Sequence, residues 1–222
     1  MNLLREYIRE FLAEAARTAD DLPAEDAVVV IEDRGDSFLV YYGREKTPTL
    51  RARSKGEGML GSIFKMNLGS VYVVDPETER SPYMSSPCGG AWMVAHANAK
   101  SGWGPLLYDV AMEWATQKYN GLMADRATVS HEARNIWDYY LSQRGDVKAH
   151  QLDNNAIKWN ERLTPRDPTD DCVQVAITKP RKGYGARPEP EEDWINHPLS
   201  KRYTKSPSTI NQLKSIDKLV VR

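Results

Sequence analysis

Residues 91–117 read AWMVAHANAKSGWGPLLYDVAMEWATQ, an apolar run, a short glycine-bearing loop and an amphipathic stretch. Ala91–Ala95 has the composition of a buried strand. Asn98 to Gly104 is small and polar, with glycines at 102 and 104. Pro105 follows where a first helical residue belongs, because its fixed φ and missing N–H cost nothing there. Beyond it Leu106, Leu107, Val110, Ala111, Trp114 and Ala115 recur at helical spacing, and Asp109, Glu113, Thr116 and Gln117 share the opposite face. The spacing predicts strand, loop and helix in that order.

A strand that feeds a Gly-x-Gly loop into a helix leaves backbone N–H groups without partners at the positive end of the helix dipole. Such a place suits a phosphate or pyrophosphate, and glycine lets the ligand approach the main chain. The other reading of Gly102 and Gly104 is a tight turn with no ligand.

Residues downstream favour the first reading. Ala99-Lys100-Ser101-Gly102-Trp103-Gly104, followed by Pro105-Leu106-Leu107, resembles the Q/R-x-x-G-x-G/A loop and helix start of the GNAT acyltransferase superfamily. Both glycines match, while Ala99 stands where Gln or Arg is usual. Gly121–Arg126 reads as the next strand, and Ser130-His131-Glu132-Ala133-Arg134-Asn135-Ile136-Trp137 is similar to the family's N-x-x-A-x-x-L-Y helix, with Ser for Asn and Trp for Tyr. The resemblance spans roughly residues 60 to 180. It implies an α/β (α+β) fold with a mixed, mostly antiparallel sheet flanked by helices. It also implies acetyl-CoA held at Lys100, Ser101, Gly102, Trp103, Gly104 and Pro105, with Val94, Ala95 and Trp137 along its pantetheine arm.

The remaining composition is that of a globular chain. Its 222 residues are 41% hydrophobic and 27% charged, and the net charge of −1 argues against a general nucleic-acid binder. No apolar run approaches the ~20 residues of a membrane span. Cys88 and Cys172 lie far apart and suggest neither a disulfide framework nor a zinc site. Cys172 reads as core and Cys88 as a loop thiol, which fits a reducing cytosol. No metal site is expected.

Met1–Ala16 reads as a helix with Leu3, Leu4, Tyr7, Ile8, Phe11 and Leu12 on one side and charged residues on the other. Arg5-Glu6-Tyr7-Ile8-Arg9-Glu10, ahead of Leu12-Ala13-Glu14, resembles the head-targeting peptides of internal proteins in tailed phages, which a prohead protease cuts after [LI]-x-E. That resemblance implies cleavage after Glu14, phage head proteins as partners, and a place in the host cytoplasm and the virion interior. The alternative is a helix docked on its own domain. Ala19–Glu25 reads as a linker, so the chain divides into 1–18, a GNAT-like domain over 26–180, and a basic, proline-rich tail over 181–222.

Within the domain, Ala27–Ile31 and Ser37–Tyr42 read as a hairpin with a glycine turn. Thr47–Gly61 reads as a charged loop, Ile63–Met66 and Ser70–Val74 as strands, and Ser81–Gly90 as a loop. Asp146–Leu152 and Asp171–Thr178 read as further strands, with a short helix and loop over Asn154–Asp170. Thr209–Val221 spaces Ile210, Leu213, Ile216 and Leu219 as a final helix in an otherwise solvated tail. A nucleic-acid contact through Lys201, Arg202, Tyr203 and Lys205 is a lesser reading of that tail.

Acyl transfer from a thioester to an amine needs a positioned cofactor, a polarised carbonyl and a route for the amine proton. Main-chain N–H groups around Val94–His96 suit the second task. The family's acid is a tyrosine at the place of Trp137, and an indole cannot supply that proton. Tyr140, close to one helical turn on, is the substitute acid in register, and His96 is the base by type. The expected activity is CoA-dependent N-acetyl transfer to an unspecified amine acceptor. The alternatives are a non-catalytic virion protein that keeps the fold as a scaffold, and a CoA- or nucleotide-binding module without turnover.

Overall fold

The computed structural model describes residues 16–22, 27–44, 68–76, 87–125, 129–154, 163–172 and 195–222. The expected helix over Met1–Glu14 and its cleavage site lie outside these residues. So do the Thr47–Gly61 loop, the Ile63–Met66 strand, residues 81–86, 155–162 and 173–194.

Ala27–Asp33 (β1) and Ser37–Arg44 (β2) form the expected hairpin, paired antiparallel from Ala27↔Arg44 to Asp33↔Phe38. Its turn is held by the Gly35 N–H on Asp33 Oδ1 at 3.0 Å and by the Arg34 N–H on the Ser37 carbonyl. Apolar residues run unbroken through both strands because both faces are covered. Val28, Val30, Leu39 and Tyr41 form one buried cluster with Tyr72 and Val220, and Val29, Ile31, Phe38 and Val40 are equally closed to water.

The remaining strands are Gly69–Val74 (β3), Trp92–Ala99 (β4), Leu122–Ala124 (β5), Val147–Gln151 (β6), Asp153–Asn154 (β7), Asp171–Cys172 (β8), Lys201–Lys205 (β9) and Leu219–Val221 (β10). Of the ten strands in the described residues, eight hydrogen-bond in the order β10-β1-β2-β3-β4-β5-β9-β6, and β7 and β8 form a separate parallel pair. The large sheet is mixed: β1–β10 and β4–β5 are parallel, whereas β1–β2, β5–β9 and β6–β9 are antiparallel. With helices Gly104–Lys118 (α1), His131–Ser142 (α2) and Ser208–Ser215 (α3), this is the α+β class that the sequence predicts. Among the described residues no helix is long and apolar enough to cross a membrane.

The chain divides into two compact units, residues 1–73, 96–111 and 207–222 in one, and 74–95 and 112–206 in the other. In the first, the Thr18 N–H and hydroxyl both donate to Asp21 Oδ2, capping a single turn over Ala19–Asp21. Ala19 is buried, the Arg17 N–H donates to the Gly102 carbonyl, and Gln212 of α3 reaches Asp20. The described part of the expected linker is therefore docked, because its turn satisfies its own backbone. The final helix is real but ends at Ser215. Asp217 then takes a positive φ of 54°, and Leu219–Val221 runs as a strand beside β1 where a continued helix was expected.

In the second unit the expectation of a solvated tail fails for residues 195–206. Lys201–Lys205 lies between β5 and β6, and its alternation buries Lys201, Tyr203 and Lys205. Each buried ammonium has a partner: Lys201 donates to Gln151 Oε1 and the Ile195 carbonyl, and Lys205 to Glu113 Oε1. The Tyr203 hydroxyl donates to the Pro198 carbonyl at 2.6 Å. Three of the four residues read as a nucleic-acid contact are thus interior, which removes that patch. Cys88 and Cys172 are also not the separate loop and core thiols expected. They form a disulfide, with Cα atoms 4.5 Å apart and both residues buried. Sequence separation says nothing about the distance between two residues in the fold, and here β7 and β8 bring Cys172 to the turn at Cys88.

Candidate functional site

The glycine loop belongs to the first unit. β4 continues through Ala99, four residues further than the sequence suggested, and α1 opens at Gly104 with Pro105 in its first turn. Gly102 sits at φ 81°, in the left-handed region that an L side chain resists. The loop is anchored on all sides. The Lys100 N–H donates to the Leu68 carbonyl, the Trp103 N–H to the Lys100 carbonyl, and the Tyr42 hydroxyl to the Trp103 carbonyl at 2.8 Å. The Tyr42 ring also meets the Trp103 indole edge-on, centroids 5.1 Å apart, and burial pushes its phenol up. Two of the N–H groups expected to face a pyrophosphate are therefore spent, that of Lys100 on Leu68 and that of Trp103 within the loop. By helix geometry the first N–H groups of α1, at Gly104 and Leu106, have no intrahelical acceptor. The Lys100 and Ser101 side chains stand exposed beside them. The donor set fits a phosphate-bearing ligand.

β4 outruns its parallel neighbour. The β4–β5 register is Trp92↔Leu122, Met93↔Met123 and Val94↔Ala124, after which β5 ends and β4 goes on to Ala99. Val94, Ala95 and His96 thus straddle the end of the ladder. His96 is half-buried, and desolvation holds its imidazole below the usual histidine range, so it is neutral and base-competent at neutral pH.

α2 belongs to the second unit and starts at Ser130, whose hydroxyl accepts the Ala133 N–H at 3.2 Å. Trp137 and Tyr140 share its inner face, as the spacing predicts, with ring centroids 6.3 Å apart. Trp137 stacks on Tyr203 at 5.1 Å, and Arg144 lies over the Tyr140 ring at 5.4 Å. Both Trp137 and Tyr140 are only 1% exposed. They are core packing, and a ligand reaches either one only by displacing packed neighbours.

The second unit also carries a polar cleft of about 490 Å³ that sequence reasoning missed. Arg202 lines it from β9, His150 and Gln151 from β6, and Asp167, Thr169 and Asp170 from the turn ahead of β8. Gly89 and Gly90, just before β4, complete one wall together with Asn120. The only advance signal was the Gly89-Gly90 pair. Beside the cleft, Asp153, Asp170 and Asp171 bring carboxylate oxygens within 4.8 Å of one another. Asp153 accepts the Leu163 and Thr164 N–H groups, which account for both of its oxygens. Backbone donors thus hold the Asp153 carboxylate, and the Thr164 hydroxyl holds that of Asp170.

Comparison with protein-family models, with curated proteins and with solved structures finds no match.

Proposed function

We propose that this chain transfers an acyl group from acetyl-CoA to an amine. The observation that carries this reading is one continuous construction: a strand that outruns its parallel neighbour at Val94, a glycine loop, and a helix that opens on Gly104 and Pro105. The resemblance of Gly102-x-Gly104 and of Ser130–Trp137 to the GNAT motifs points the same way. Bound acetyl-CoA would supply the acyl thioester. The first N–H groups of α1, with Lys100 and Ser101, would hold its pyrophosphate. Main-chain N–H groups at Val94 and Ala95 would polarise the thioester carbonyl. His96, neutral at pH 7, would take the proton of the attacking amine.

A second reading is a virion scaffold that keeps the fold without catalysis, delivered to a phage head by residues 1–14. Two positions favour it: Trp137 replaces the expected tyrosine, and Tyr140 is enclosed in the core. Native mass spectrometry of the purified chain, followed by calorimetry with acetyl-CoA and an acyl-transfer assay over a panel of amines, separates the readings. Bound CoA with turnover supports the transferase, and bound CoA without turnover makes the chain a binding module. No CoA binding ends the transferase proposal and leaves the scaffold.

A further inference from the structure

The cleft in the second unit collects both signs of charge without pairing them. Among the described residues Arg202 meets no carboxylate; its guanidinium donates only to the Asn120 carbonyl and Asn120 Oδ1, at 2.9 and 3.2 Å. Yet Arg202 is half-buried, and a desolvated guanidinium without a counter-ion is costly. Across the same cleft, Asp167 uses Oδ1 for the Thr169 N–H and hydroxyl, and Asp170 accepts only from Thr164. Asp170 Oδ1 is enclosed with no hydrogen-bond partner, and burial pushes this carboxyl up. His150 is bonded to Thr204 Oγ1, and burial and the nearby Arg202 charge keep it below the usual histidine range.

We propose that this cleft binds a small zwitterion of the α-amino acid type, its carboxylate on Arg202 and its ammonium on the Asp167–Asp170 side. A simple dianion such as phosphate fits poorly, because two aspartates face it. The nearby backbone also offers no nest, since the Gly89 N–H is spent on the Thr169 carbonyl and the Gly90 N–H on the Pro87 carbonyl. A bare divalent cation fits poorly too, because Arg202 shares the space. A molecule with one charge of each sign offsets both unpaired groups at once.

The walls are held in place before any ligand arrives. The Cys88–Cys172 disulfide joins the segment carrying Gly89 and Gly90 to the one carrying Thr169 and Asp170, and the Gly89–Thr169 hydrogen bond of 2.7 Å adds a second tie. Gly89 has φ 64°, and a Cβ there would lie 2.9 Å from Arg202 Nε, so glycine is what admits the guanidinium against the wall. Walls fixed in advance reduce the ordering cost of binding. The proposal is independent of acyl transfer, and its test uses no CoA.

The experiment is a titration of each of the twenty standard α-amino acids into the ¹⁵N-labelled full-length chain. At least one should move the amide signals of Gly89, Gly90, Asn120 and Thr169 saturably. Its N-acetyl and carboxamide derivatives should each bind at least about tenfold more weakly, since each removes one charged contact. Arg202→Gln and Asp167→Asn should each weaken binding by a similar factor. Asp167→Asn sits on an exposed residue and keeps the Oδ1 acceptor, so it reads binding even if Arg202→Gln fails to fold. Silence from all twenty amino acids, equal binding of the carboxamide, or wild-type affinity in Asp167→Asn would overturn the assignment.

Discussion

Lys205 of β9 and Glu113 of α1 form an ion pair closed to water at both ends, with side chains 1% and 0% exposed. Lys205 also approaches Asp146 Oδ2 at 3.4 Å, and Arg144 forks onto both Asp146 oxygens at 2.7 Å. Those Arg144 bonds hold the Asp146 carboxyl down to about 2. The chain of charges Glu113–Lys205–Asp146–Arg144 thus runs from the interior to the surface. It explains how α1 tolerates a carboxylate in its packed middle.

Removing one end of that pair takes the buried counter-charge from the other. Glu113→Gln or Lys205→Met alone should cost about 3–5 kcal/mol, read as a lower denaturation midpoint at unchanged slope. The double variant should recover much of the loss, because it buries no unpaired charge. A single variant as stable as the wild type would mean that water reaches the pair.

The disulfide spans a sequence separation of 84 residues and ties the Cys88 turn to β8. Replacing both half-cystines by serine should lower stability by about 2–5 kcal/mol. Alkylation of the unfolded, unreduced chain should leave its mass unchanged. Mass added at Cys88 and Cys172 without reductant would show free thiols.

Much of the fold was legible in the sequence, and the exceptions share a cause. The β1–β2 hairpin and α1 announce themselves by spacing and turn residues, and α2 by its likeness to the GNAT helix pattern. β9 did not, because KRYTK reads as solvated when its partners cannot be seen; Glu113 and Gln151, which accept hydrogen bonds from its lysines, lie far away in sequence. The same blindness hid the disulfide and the Arg202 cleft, whose residues come from five separate stretches. The glycine loop was legible as a turn with a helix behind it. That its Lys100 and Trp103 N–H groups are already bonded, to Leu68 and to Lys100, was not, because a motif does not specify its own hydrogen bonds.

His150 gives a pH dependence of known sign. Burial, then the charges of Arg202 and Lys148, depress its folded value below the ordinary 6.5. Below 6.5 the unfolded chain binds a proton that the folded chain refuses, so stability present above that pH is lost as pH falls toward the folded value. His96 adds a contribution of the same sign through burial. His150→Gln should therefore flatten, without abolishing, the loss of stability on acidification below 6.5. An NMR titration of the His150 ring with its midpoint at or above 6.5 would contradict this.

The docked turn at Ala19–Asp21 bears on the N-terminal segment. Arg17 and Asp20 hold the chain just beyond the expected cleavage point. Deleting residues 1–14 should shift the melting temperature by less than about 4 °C, the scale of ~1 kcal/mol in a chain this long. If the segment is a head-targeting peptide, mature particles should yield Ala15 as the N-terminus. Intact Met1 in those particles would end that idea.

The last prediction concerns His96. If the chain is a transferase, His96→Gln should lower turnover by about 10²–10⁴-fold while CoA affinity stays near wild type. Burial depresses the imidazole, so the wild-type pH–rate profile should already be on its plateau at neutral pH, with its acid limb below 6.5. Tyr140→Phe should cost far less in rate, because Tyr140 is enclosed against Arg144 and Trp137 and cannot exchange protons readily with a bound amine. Any large loss in Tyr140→Phe should instead appear as lower stability. Wild-type turnover by His96→Gln across about pH 6–9, where an imidazole base ought to matter, would make His96 a structural residue and place the base elsewhere.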